Sequence, residues 1–88
     1  MTDQADEKSD LEKSRDIISQ LKEMHHYSKT NIEKLGEFWL LLDDELKQKE
    51  NAKKVETLLT HQNSFHEALE SLVSDYEIEC NRIENEAS

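Results

Sequence analysis

The sequence has no proline, a single glycine and a single cysteine. With so little to punctuate strands and turns, a β-rich fold is not expected. One cysteine, Cys80, excludes an internal disulfide framework. No apolar run approaches the roughly 20 residues needed to cross a bilayer. The opening stretch MTDQADEKSD has neither the apolar core nor the basic flank of a secretory signal, and no Asn-x-Ser/Thr sequon occurs. Basic residues are scarce as well, 11 against 21 acidic, for a formal net charge of −10. Phosphate backbones and anionic lipid surfaces both need a positive field. The expected partners are therefore proteins, with no nucleic acid, no membrane and no small-molecule substrate. The expected compartment is cytoplasmic or nuclear.

What the sequence does contain is charge, 36% of residues, and strong helix formers. Such compositions border on disorder, but here the apolar residues are regularly spaced. Ser9-Asp10-Leu11-Glu12 fits a capping box, so a helix is expected from about residue 10, after a flexible acidic tail at 1–9. Leu11, Ile18, Leu21, Ile32, Leu35, Trp39, Leu42 and Leu46 then recur at intervals of three and four or their sums. Ser14, His25 and Ser28 fall on the same seam, which makes a heptad with polar interruptions. In the second half Val55, Leu58, Phe65, Leu69, Leu72, Tyr76 and Ile83 form another heptad stripe. Gln62 is its polar member, and Leu59, Val73 and Cys80 widen it.

At about 100° per residue the two stripes differ in direction by roughly 150°, while a supercoil absorbs only about 20° per heptad. A turn at about 49–52, with Asn51 as N-cap, restores one core between antiparallel helices. The expected fold is all-α: a long, coiled-coil-like helical hairpin with helices at about 10–48 and 52–84 and a frayed end at 86–88. One continuous two-faced rod is the main alternative. Three shorter helices, split at the second capping box Thr30-Asn31-Ile32-Glu33, are a weaker one.

The run Phe38-Trp39-Leu40-Leu41-Leu42 spans more than a full helical turn, so its members point in every direction. A helix that is apolar all round is buried all round, and a lone hairpin buries only one side of each helix. Small scaffolds without disulfides or metals gain stability by association. The hairpin is therefore expected to complete a bundle by oligomerisation or with a partner chain. The expected interface comprises Leu35, Phe38, Trp39, Leu40, Leu41, Leu42 and Leu46 from the first helix. Leu58, Phe65, Leu69, Leu72 and Tyr76 come from the second.

Nothing in the sequence calls for catalysis. There is no glycine-rich phosphate loop, nucleophile elbow or zincin helix, and acidic neighbours disfavour a Cys80 thiolate. Catalytic residues, cofactors and metals are expected to be none. His66 and Glu70, one helical turn apart, are the only local pair with workable ligand geometry. His25 should approach the second helix near Tyr76 or Cys80. His25 and Gln62 read more simply as polar residues that set register, or that sense pH. The expected role is a non-enzymatic interaction subunit, a helical scaffold or adaptor of a coiled-coil complex. A regulatory helical module seated in a groove on an enzyme or receptor is the alternative. A metal-dependent helical-bundle enzyme is a distant one.

Overall fold

A computed structural model describes the backbone of residues 3–87 and the side chains of residues 9–86. Helix α1 spans Asp3–Leu40, a π-helical turn spans Leu41–Glu45, and helix α2 spans Lys49–Ala87. The two helices pack against each other along their length as an antiparallel hairpin, 65 Å long and 15 Å across. Neither the continuous rod nor the three-helix alternative holds. Thr30 continues α1, with its hydroxyl turned back onto the His26 carbonyl at 3.3 Å.

The seam is a strict heptad in both helices. In α1 it runs through Leu11, Ser14, Ile18, Leu21, His25, Ser28, Ile32, Leu35, Trp39 and Leu42, all buried or half-buried. In α2 it runs through Ala52, Val55, Leu59, Gln62, His66, Leu69, Val73, Tyr76, Cys80 and Ile83. Alternation of three and four keeps each row facing its neighbour along a left-handed supercoil. Ile18, Ala52, Leu69 and Cys80 are the buried apolar residues. Cys80, 1% exposed, is thus a packed thiol in the seam.

Several boundaries differ from the sequence reading. Backbone helix begins at Asp3 rather than near residue 10, so Ser9–Glu12 lies within α1; Met1 and Thr2 of the expected tail lie outside the described residues. At the other end α2 continues to Ala87, and Ser88 lies outside. The reversal falls at 46–48, ahead of the expected 49–52. There the Leu46 N–H donates to the Leu41 carbonyl (2.9 Å) and the Gln48 N–H donates to the Leu42 carbonyl (2.7 Å). Both spans are wider than an α-turn, as a closing π turn requires. Lys47 holds φ at 56°, the left-handed conformation that usually ends a helix on glycine. The Gln48 carbonyl accepts from the Ala52 N–H at 2.9 Å, so Gln48 stands at the N-cap and Asn51 is already in the first turn.

Lysines at the start of α2 oppose the helix dipole. The structure answers with ion pairs. Lys49 meets Asp43 at 2.9 Å, Lys53 meets Glu50 at 3.8 Å and Lys47 meets Asp44 at 4.0 Å.

Candidate interaction face

The α2 stripe is rotated from its expected direction. Leu58, Phe65 and Leu72 stand 54%, 45% and 49% exposed, while Leu59, His66, Val73 and Cys80 occupy the seam. Hydropathy alone favours the first row, which is larger and wholly apolar. Two features favour the second. Close approach of the helices suits the smaller Ala52, Val73 and Cys80. This rotation also sets Glu70, Glu77 and Glu84 on one flank, opposite the bases of α1.

That flank is closed by charge. Arg15 donates to Asn81 and to Glu84, Lys22 pairs with Glu77 at 3.1 Å, and His25 Nε2 lies 3.8 Å from a Glu70 oxygen. Farther along α2, beyond Leu72, the neighbouring row 58-65-72 itself turns acidic, and there Arg82 pairs with Glu79 and Glu86. The hydrogen bond from Arg82, and then its charge, hold the exposed Glu79 carboxyl below the ordinary glutamate range.

The opposite flank is apolar. In α1 the positions preceding the seam residues at seven-residue steps are Ile17, Met24, Asn31 and Phe38, and the next row out holds Tyr27 and Leu41. In α2 the matching positions are Leu58, Phe65 and Leu72. All of these except Asn31 are large apolar side chains left exposed. Grooves between the helices join them: Phe38, Leu58 and Phe65 line one, and Met24, Tyr27 and Phe65 line the next. Neither groove has an acidic residue in its lining; Lys34 and His61 edge the first. The hairpin is therefore two-sided, ion-paired along one flank and apolar along the other. Large apolar side chains gathered on one flank, rather than scattered singly, mark an interaction surface.

The run FWLLL divides as its geometry demands. Trp39 and Leu42 join the seam with Leu35, half-buried, whereas Phe38 and Leu41 fall on the apolar flank. Leu40 and Leu46 are exposed elsewhere, Leu40 on the outer side of α1 and Leu46 at the reversal. Of the expected α2 interface, Leu69 is buried and Tyr76 half-buried within the hairpin itself. Sequence reasoning missed Ile17, Met24 and Tyr27. Their signal was present in the spacing 17, 24, 38, but a second stripe beside the main seam was not sought.

The seam is interrupted at its centre by a polar layer. Ser28, 2% exposed, accepts from Gln62 Nε2 at 2.8 Å and lies 3.2 Å from His66 Nδ1. One layer on, the rings of His25 and His66 stack with centroids 4.1 Å apart. Toward the chain termini the Tyr76 hydroxyl donates to Ser14 Oγ at 2.8 Å. His25 thus meets His66 and Glu70, rather than Tyr76 or Cys80 as expected. Gln62 does sit in the seam, where a polar residue can fix register.

Comparison with protein-family models, curated proteins and solved structures yields no match. Among the described residues no helix is long and apolar enough to cross a membrane.

Proposed function

We propose that the chain is a non-enzymatic protein–protein interaction subunit, a helical scaffold element that associates through its apolar flank. The observation carrying this reading is that both helices contribute large exposed apolar residues to one flank while the other flank is closed by ion pairs. The occupant proposed for the flank is a second copy, laid antiparallel to give a four-helix bundle.

Register supports that choice. Leu58 and Leu72 lie seven residues either side of Phe65, so a two-fold axis at Phe65 sets Phe65 on its own copy and Leu58 on Leu72. The same axis brings Lys54 level with Asp75 to within one residue. Ser28 contacts both Gln62 and His66, which places Tyr27 near the level of Phe65 on α1. Ile17 and Phe38 lie ten and eleven residues from Tyr27, so the axis also sets Ile17 against Phe38. One operator thus matches four apolar or charged pairs, and a closed two-fold is the commonest assembly of soluble chains.

Charge favours the same arrangement. Residues 1–24 and 69–88 hold 13 of the 21 acids but 5 of the 11 bases, so the terminal half of the hairpin is the acidic one. Antiparallel packing sets that half against the nearly balanced half near the turn, whereas parallel packing would set acid against acid. The apolar strip from Leu41 to Ile17 spans 24 residue steps, about 36 Å at 1.5 Å per residue. Across a 15 Å wide rod that is roughly 500 Å² in projection, toward the lower range of a specific interface of about 800 Å² accessible area per partner.

The test is Phe65→Glu, which places two carboxylates face to face on the proposed axis. Sedimentation equilibrium should show the parent chain as a dimer and the variant as a monomer. If the two sediment alike, the flank is not the self-interface, and a different helical protein becomes its occupant.

A further inference from the structure

We infer that His25, His66 and Glu70 form a divalent transition-metal site that clamps α1 to α2. The cluster lies on the ion-paired flank, so it stands or falls separately from the association through the apolar flank. Its ligand atoms, one from each residue, all lie within 4.8 Å of one another.

The donor set is two imidazoles and one carboxylate, a combination that zinc takes as three protein ligands with a fourth position left for water. With bonds of about 2.0–2.2 Å, ligand atoms around a tetrahedral ion stand roughly 3.3–3.6 Å apart. His25 Nε2 and the Glu70 oxygen are 3.8 Å apart, within about half an ångström of that spacing. Glu70 is free to close the gap, since its side chain is 68% exposed. His66 and Glu70 are one helical turn apart and share a face of α2. Binding requires the stacked rings of His25 and His66 to turn so that a nitrogen of each faces the ion.

Two further observations point to a ligand here. His25 Nε2 is buried with no hydrogen-bond partner, although buried polar atoms are normally satisfied. A lone pair coordinated to a cation would resolve that. His66, for its part, directs Nδ1 at the Ser28 hydroxyl, and Gln62 holds the same hydroxyl from the other side. A second-shell hydrogen bond on one ring nitrogen limits the ring's rotation and leaves the other nitrogen available, as metal-ligating histidines commonly have it. The charge is favourable too: the carboxylate of Glu70 is part of the site, and Lys22, which edges the same groove, is paired with Glu77.

The site draws ligands from both helices, so an ion bound there holds only the folded hairpin and stabilises it by mass action. Imidazole and carboxylate together suit zinc over calcium or magnesium. The ion is a structural clamp in this reading and carries out no reaction.

The experiment is a calorimetric titration of the full chain with zinc chloride at pH 7.5, repeated with cobalt(II) to read its visible absorption. The expected result is saturation at one ion per chain, a four-coordinate cobalt spectrum and a higher melting temperature with zinc. Glu70→Gln, at an exposed position that need not disturb folding, and His66→Ala should each abolish saturable binding. Ser28→Ala should weaken it on the order of tenfold. Exchange of the exposed histidines, His26→Ala and His61→Ala, should change nothing. Failure to saturate at one ion per chain overturns the inference. So does binding that survives Glu70→Gln in a variant whose circular dichroism is unchanged.

Discussion

Gln62 donates to the Ser28 hydroxyl at 2.8 Å across the middle of the seam, joining the two helices where both heptads turn polar. Ser28 is buried to 2% exposure, and His66 approaches it from α2 at 3.2 Å. The layer specifies register: a slip of one heptad would set Ser28 and Gln62 against apolar residues. Ser28→Ala leaves Gln62 without its acceptor and His66 without its hydroxyl partner, a loss of about 1–3 kcal/mol. Pairing it with Gln62→Leu should recover part of that, because the orphaned amide is removed as well. Urea denaturation of the two single variants and the double variant measures the coupling. Strict additivity would show the bond to be incidental.

Lys47 is the one described residue other than glycine with positive φ, at 56°. Its Cβ crowds the backbone there by about 1–2 kcal/mol. Lys47→Gly relieves that strain while giving the unfolded chain about 0.4–1 kcal/mol of extra freedom. The net expectation is a gain of about 0.5–1 kcal/mol, read as a higher denaturation midpoint at unchanged slope. Lys47→Ala should give no such gain, since alanine keeps the Cβ.

The flanks should respond unequally to mutation. Lys22→Ala breaks an ion pair between groups more than a third exposed, worth at most about 1 kcal/mol. Leu69→Ala empties a buried seam position and should cost about 2–5 kcal/mol. Thermal unfolding of both variants at one protein concentration makes the comparison. Equal losses would mean that the charged flank contributes more to stability than its exposure allows.

Much of this was legible in the sequence. The absence of proline, the three-and-four spacing from Leu11 to Leu42 and the mismatch of stripe directions were enough to give an antiparallel hairpin. The division of FWLLL between seam and flank also followed from 100° per residue. The rotation of α2 was not legible, because Leu58-Phe65-Leu72 and Leu59-His66-Val73 are adjacent rows and hydropathy favours the wrong one. What favours the second row is close packing at Ala52, Val73 and Cys80, together with the pairing of Glu77 and Glu84 with Lys22 and Arg15, contacts between residues more than fifty positions apart. The reversal at Lys47 was hidden for a similar reason: left-handed backbone is normally announced by glycine, and here it is a lysine. Ala52, a small residue beside the turn, gives little hydropathy signal, yet it is 2% exposed in the seam.

Acid titration tests the local electrostatics near the end of α2. Glu79 has its carboxyl held below the ordinary glutamate range by Arg82. A depressed carboxyl contributes stability above the unfolded value of about 4.3, and loses it as pH falls through the folded one. A site-resolved carboxyl titration by NMR should find Glu79 protonating below the ordinary glutamate range. Arg82→Ala should return it to the ordinary range. No change in that variant would contradict the assignment.

The central claim is that the strip through Phe38, Leu58, Phe65 and Leu72 is covered by a second copy of the chain. Sedimentation equilibrium on the purified protein at micromolar concentration tests it most directly. The expected result is a species of twice the 10.4 kDa chain mass, with Phe65→Glu sedimenting at 10.4 kDa and still helical. A parent chain that sediments as a folded monomer across that range would contradict the claim.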